Sequence, residues 1–303
     1  MKQVLLCAAL SVLLASAAAA RPILSDSQKS YASVCLEDAE PADRLASICE
    51  VAIADAGAGA ADIRVVLAGA YDRMDKRVQA RALLDDVLTE DPAHTGALNV
   101  LGWMHWEADD FDQASAIFQR SLDAGATAQG FAGLASSGRQ GGILDERSFL
   151  QLIDTAIAMS PAYVWAMREK AWFYIDTDRP AEAEPVLRNA LDQDADIPWT
   201  LYTLGVALFD QDKLGPALAA LNQSVATGDA PTYAYLYRAR KNDWLENYRR
   251  ALGDAERVTQ DWPDAGEGSL WKARALTALG LRPAAVTWLR QFLEDGHNGF
   301  ANY

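Results

Sequence analysis

Residues 95–128 read TGALNVLGWMHWEADDFDQASAIFQRSLDAGATA, and this stretch decides the fold. Leu98, Leu101 and Gly102 give the apolar and small positions of one helix, and Asp109-Asp110 and Asp112 fall at helix ends and turns. Ala114 and Phe118, four residues apart, mark the inner face of a second helix. Ala114 also belongs to a grid. Ala46, Ala80 and Ala114 lie 34 residues apart, as do Ala183, Ala217, Ala251 and Ala285. The step from Ala114 to Ala183 is 69 residues, two periods plus one. A fixed period of this length predicts a stack of helical hairpins, each packing on its neighbours. The alanines mark where two helices cross too closely for a larger side chain.

The rest of the chain fits such an array. Its 303 residues exceed one ordinary compact domain, a limit that repeats escape. The formal net charge is −15 and the pI about 4.6. That surface repels phosphate backbones and anionic headgroups, so nucleic acid and anionic membranes are poor candidates, and no nucleic-acid partner is expected. Lys2, the apolar run Val4–Leu14 and Ala18-Ala19-Ala20 before Arg21 read as a cleavable export signal over residues 1–20. An uncleaved anchor formed by residues 4–20 is the alternative, although that run is short for a span. The periplasm of a bacterium is the expected destination. Cys7 leaves with the signal. Cys35 and Cys49 remain, an even pair in an oxidising compartment, on opposite arms of one hairpin that turns near Pro41. A disulfide between them is expected, with two buried free thiols as the alternative.

The hairpin pattern resembles the tetratricopeptide repeat family, here an exported bacterial member. Residues 61–94 supply Leu67, Ala68, Tyr71, Ala80, Leu84 and Val87, closed by Pro92. Ala171, Tyr174, Ala183, Leu187 and Ala190 repeat the pattern over residues 164–197. Leu201, Leu204-Gly205, Leu208, Ala217 and Leu221 repeat it over 198–231, and two further units follow to residue 299. The resemblance implies an all-α, right-handed α-solenoid of about eight hairpins. Residues 27–60 form an atypical, cysteine-stapled first hairpin, 61–128 regular units, 129–163 a degenerate unit, 164–299 regular units and 300–303 a tail. In the degenerate unit Gly133-Leu134-Ala135 sits in a short first helix, Ser136–Gly142 reads as a glycine-rich loop or hinge, and Phe149 stands near the alanine position.

Chemistry is sparse. No zincin, nucleophile-elbow, phosphate-loop or dinucleotide motif occurs, and none of His94, His105 and His297 has a nucleophile beside it in sequence. Asp192-Gln193-Asp194-Ala195-Asp196 opens like a calcium loop, but Ile197 and Thr203 stand where glycine and glutamate are needed. No catalytic residue, metal or cofactor is expected. The resemblance places certain first-helix positions in a concave groove: Asn99, Trp103 and Trp106; Trp165, Arg168 and Trp172; Trp199, Tyr202 and Phe209; Tyr233 and Arg240. Rings interspersed with arginine suit a partner protein or peptide, held by a scaffold or adaptor of the cell envelope. A glycan or peptidoglycan fragment is the alternative ligand, and packing of several rings into seams between repeats is the alternative fate of the rings. The apolar helix from Pro283 to Glu294, with Phe300 and Tyr303 after it, suggests self-association or partner docking through the C-terminal hairpin, with the tail folding back over this surface as the alternative.

Overall fold

In the computed structural model the described residues are 31–38, 40–56, 60–193, 197–264 and 266–294. The signal segment 1–20, the acidic residues 194–196 and the tail 300–303 lie outside them. The described residues form sixteen α-helices and no strand. In chain order these are α1 Tyr31–Glu37, α2 Ala42–Ala56, α3 Ala61–Arg73, α4 Arg77–Glu90, α5 Thr95–Glu107, α6 Phe111–Ala124, α7 Ala128–Gln140 and α8 Glu146–Met159. Then follow α9 Val164–Asp176, α10 Pro180–Asp192, α11 Ile197–Phe209, α12 Leu214–Ala226, α13 Thr232–Trp244, α14 Tyr248–Asp261, α15 Gly266–Ala278 and α16 Arg282–Glu294. The architecture is an all-α helical-repeat solenoid. It divides into two compact units, residues 1–170 and 171–303, with the division inside α9.

The two helices of a hairpin are built differently. A second helix buries one stripe: in α6, Ala114, Ile117, Phe118 and Ser121, at i, i+3, i+4 and i+7. The first helices of the middle repeats are buried nearly all round, as in α11, where Thr200 to Leu208 are all buried. That helix is covered on several sides at once, which is why it reads as a continuous apolar run. The grid alanines are 0–3% exposed at every position, as the sequence requires.

Each first helix from α3 onward ends in the same turn. The N–H of Lys76 donates to the Tyr71 carbonyl at 2.8 Å, and the same six-residue closure recurs as Asp110 to His105, Ile143 to Gly138, Arg179 to Tyr174, Lys213 to Leu208, Asn247 to Asn242 and Leu281 to Leu276. The closure needs one left-handed residue. Asp75, Asp109, Asp178 and Asp212 take it with φ of 59–62°, Gly142 and Gly280 take it naturally, and Glu246 takes it at 60°. Aspartate tolerates this region better than most side chains, which gives the turn aspartates a structural role in addition to solubility.

In unit 1, Cys35 and Cys49 are joined by a disulfide with a Cα–Cα separation of 5.1 Å. It links α1 to α2 beneath a small core with Leu45, Ala46 and Ile63. The run Ser136–Gln140 is helical, which corrects its reading as loop; only Gly141–Asp145 separates α7 from α8. The small residues are there for close packing. Ser136, Ser137 and Gly138 are buried, and the Ser137 hydroxyl donates to the Gly133 carbonyl at 2.8 Å. A Cβ on Gly133 would overlap the Phe118 ring. Phe149, fully buried on the grid, occupies the place an alanine holds elsewhere, opposite a helix with little bulk.

Candidate functional site

The first-helix positions singled out above behave differently in the two units. In unit 1, Trp103 and Trp165 are 4% and 2% exposed, and their ring centroids lie 4.5 Å apart, edge to face. Trp103 also meets Phe118 at 5.1 Å and Trp106 at 5.8 Å, and Tyr163 stacks on Trp165 at 6.0 Å. Trp103 comes from α5 and Trp165 from α9, with α7 between them in sequence. From residue 132 to 138, α7 carries nothing larger than serine except Leu134, so rings from the flanking repeats close over it.

Asn99 is also sealed. Its side-chain amide donates to Thr127 Oγ1 at 3.2 Å and its carbonyl oxygen accepts from Ser121 at 2.7 Å. Thr127 in turn caps α7 by accepting from the Gly130 N–H at 2.9 Å. Arg168 is 3% exposed; burial lowers its pKa to about 10 against the opposing pull of Glu169 and Tyr163. An open ring wall over Asn99, Trp103, Trp106, Trp165 and Arg168 is therefore corrected to a packed aromatic seam. The signal that could have shown this was the Ala-Gly-Ser run between two tryptophan-bearing helices.

In unit 2 the rings stay accessible. Tyr202 is buried at the centre, and Trp172, Trp199 and Tyr233 stand half-buried around it at 5.9, 6.1 and 6.2 Å. Two rings that the sequence reading missed extend the row: Tyr237 at 5.6 Å from Tyr202, and Trp262 at 4.5 Å from Tyr233. Tyr237 lies one residue past a groove position, and Trp262 follows α14, so neither fell on the first-helix grid. Arg240 is exposed beside this row, and Phe209 is half-buried.

The Lys241 ammonium lies over the Phe209 ring. Burial and the neighbouring Arg240 push its pKa down to about 7, with Asp210 pulling the other way. Asp210 is raised by burial, with Lys241 and Arg240 opposing. Burial and the adjacent Tyr237 and Tyr233 hold the Tyr202 phenol well above its usual range. The row thus offers neutral ring faces, one exposed guanidinium and no nucleophile paired with a base.

A second titrating cluster lies in unit 1, away from the rings. Asp72 and Glu107 are 6% and 8% exposed and share one guanidinium, that of Arg77, at 4.0 and 3.3 Å. Neither Asp72 oxygen accepts a hydrogen bond from the described residues. Burial, then the Asp72 charge, pushes Glu107 up to about 7 despite Arg77, with Asp75 adding to the rise. Among the described residues no group of three or more His, Cys, Asp or Glu is placed to hold a metal ion, and no helix is long and apolar enough to cross a membrane.

Comparison with known proteins agrees with this architecture. Two tetratricopeptide repeat family models match, over residues 74–136 and 245–298. No curated protein matches in sequence. Among solved structures the chain is similar to the APC/C hetero-tetramer Cut9-Hcn1, with a TM-score of 0.67 and 17% identity, covering 81% of this chain and 48% of that one. The chain therefore spans about half the length of that relative. It is also similar to Pseudomonas aeruginosa pilF, with a TM-score of 0.58 and 16% identity over 71% of this chain and 97% of that one. A tetratricopeptide repeat protein from Parabacteroides merdae ATCC 43184 matches with a TM-score of 0.53 and 16% identity over 79% and 94%. These likenesses establish the fold class, a helical-repeat solenoid. With the family matches and the 34-residue grid, the chain is a tetratricopeptide repeat protein.

Proposed function

We propose that the protein is a non-enzymatic interaction scaffold of the bacterial cell envelope, exported by residues 1–20, that holds a partner protein or peptide on the first-helix face of unit 2. One observation carries this reading: Trp172, Trp199 and Tyr233 stand half-buried, each with part of its ring accessible, around Tyr202 and beside the exposed Arg240. Aromatic rings present large contact area at low entropic cost, and arginine adds directed hydrogen bonds, so both are over-represented among residues that dominate binding energy. This partial exposure leaves ring area to be covered, whereas the sealed rings of unit 1 have almost none to offer. One of the solved structures that the chain is similar to is a hetero-tetramer, Cut9-Hcn1, in keeping with a role in protein assembly.

The test is affinity capture from envelope extract with the purified chain and with a Trp199→Ala, Tyr233→Ala variant. The expected result is one stoichiometric partner with the wild-type chain and its loss with the variant, while circular dichroism is unchanged. Equal recovery by both overturns the reading. If soluble peptidoglycan fragments instead quench tryptophan fluorescence saturably, and the variant abolishes that, the ligand is a glycan. Recovery of a secreted chain beginning at Arg21 tests the export step.

A further inference from the structure

The last helix keeps the residues of an interior repeat. Leu293 falls on the 34-residue grid of Leu88, Leu122, Ile157, Leu191, Val225 and Thr259, allowing for the one extra residue. All six of these are buried or half-buried, whereas Leu293 is 56% exposed. Val286 is 55% exposed, and its equivalents in the two preceding repeats, Leu252 and Leu218, are half-buried. Helix α16 therefore has two apolar faces. Ala285 and Phe292 are buried, and Trp288 packs on the core of this hairpin. Val286 and Leu293 are the exposed members of the other stripe, with Leu289 between them at i+3, half-buried and packing on the hairpin core as well.

The charge around this stripe is unlike that of the rest of the chain. Residues 231–294 carry ten Lys and Arg against eight Asp and Glu, within a protein of net charge −15. Arg282 and Arg290, both exposed, share the helix face with Val286, Leu289 and Leu293 by their spacing. An apolar stripe rimmed by arginine suits an apolar stripe rimmed by carboxylates. Two copies meeting through this face would set arginine against arginine.

We propose that the outer face of α16 is a second docking surface, taking an amphipathic helix of a partner protein with acidic flanks. The partner helix adds to the stack as the first helix of a further repeat would, its anchors at i, i+3, i+4 and i+7 on Val286, Leu289 and Leu293, its carboxylates on Arg282 and Arg290. The surface is separate from the ring row of unit 2, and its occupant is independent of what that row binds.

The experiment uses two fluorescein-labelled synthetic helices of about 20 residues, one with a leucine stripe flanked by glutamates and one with the same stripe flanked by lysines. Anisotropy is measured with the purified chain. The glutamate-flanked helix is expected to bind saturably and the lysine-flanked helix not. A Val286→Glu, Leu293→Glu variant is expected to bind at least about tenfold more weakly. An Arg282→Glu, Arg290→Glu variant should reverse the preference between the two helices. All four side chains are exposed, and circular dichroism checks that the variants fold. The Trp199→Ala, Tyr233→Ala variant should bind as wild type, which separates this surface from the ring row. No saturable binding, or equal binding of both helices, overturns the proposal. So does sedimentation of the wild-type chain as an oligomer that Val286→Glu, Leu293→Glu dissociates, because the occupant is then a second copy. Binding that appears only on removal of residues 295–303 makes the chain's own tail the occupant and overturns it as well.

Discussion

Trp103 and Trp165 in unit 1, and Trp172 and Trp199 in unit 2, all stand on first helices: α5 and α9 carry the first pair, α9 and α11 the second. The first pair is 4% and 2% exposed and meets at 4.5 Å; the second pair stands half-buried around Tyr202, with part of each ring accessible. The difference does not lie in the tryptophans. It lies in α7, whose glycines, alanines and serines leave room for rings from both sides to meet, whereas α11 fills its own row with Tyr202 and Phe209. A repeat position therefore does not fix a side chain's role; the bulk of the neighbouring repeat does.

The largest expected effect follows directly. Trp165→Ala removes a fully packed ring and should cost about 3–5 kcal/mol, whereas Trp199→Ala should cost about 1–2 kcal/mol, because its ring is only partly buried. Urea titration of each variant checks this. Equal losses would erase the distinction between seam and shelf.

The two units should also respond oppositely to pH. Glu107 in unit 1 has its folded pKa raised to about 7, above its ordinary value of 4.5, so it contributes stability that is fully present below that ordinary value and lost as pH rises through about 7. Lys241 in unit 2 has its folded pKa lowered to about 7 from 10.5, so it contributes stability present above 10.5 and lost as pH falls through about 7. Glu107→Gln should flatten the loss between pH 5 and 8 in unit 1, an effect on the order of 2 kcal/mol, and Lys241→Met should flatten the gain between pH 7 and 10 in unit 2. Hydrogen exchange resolved by segment separates the units. A common slope in both would remove these two groups as the cause.

Gly133→Ala tests the seam more gently. Its Cβ would overlap the Phe118 ring, so the variant should lose about 1–2 kcal/mol, while Gly215→Ala in unit 2, with open space at its Cβ, should not lose stability. Thermal unfolding of the two variants reads the contrast. The smallest effect concerns the turns. Glu246 is the one left-handed turn residue of the described hairpins that is neither Asp nor Gly, so Glu246→Gly should gain about 0.5–1 kcal/mol. Asp109→Gly in unit 1 should change stability less, since aspartate already tolerates the conformation. A loss at Glu246 on urea titration would show that the turn does not carry the strain.

Much of the fold was legible before any coordinates. The alanine grid fixed hairpin count and register because close helix crossing permits no larger side chain, and that constraint repeats every 34 residues. The Cys35–Cys49 link was legible because two helices of one hairpin must run side by side. The run Ser136–Gln140 was misread because serine and glycine serve both turns and tight helix packing, and only the ring of Phe118 and the side chain of Leu144 across from Gly133 and Gly138 separate the two uses. The left-handed φ of the turn aspartates is a backbone fact with no side-chain periodicity of its own, so spacing along the chain does not show it.

The sequence by itself determined the repeat, its period, the crossing points and which residues occupy the first-helix face, because these follow from local spacing along one chain. Only the tertiary structure decided which of those faces is closed. Whether Trp103 is core and Trp199 is shelf depends on the volume contributed by a helix one repeat away, and side chains that distant in sequence meet only once the stack has formed.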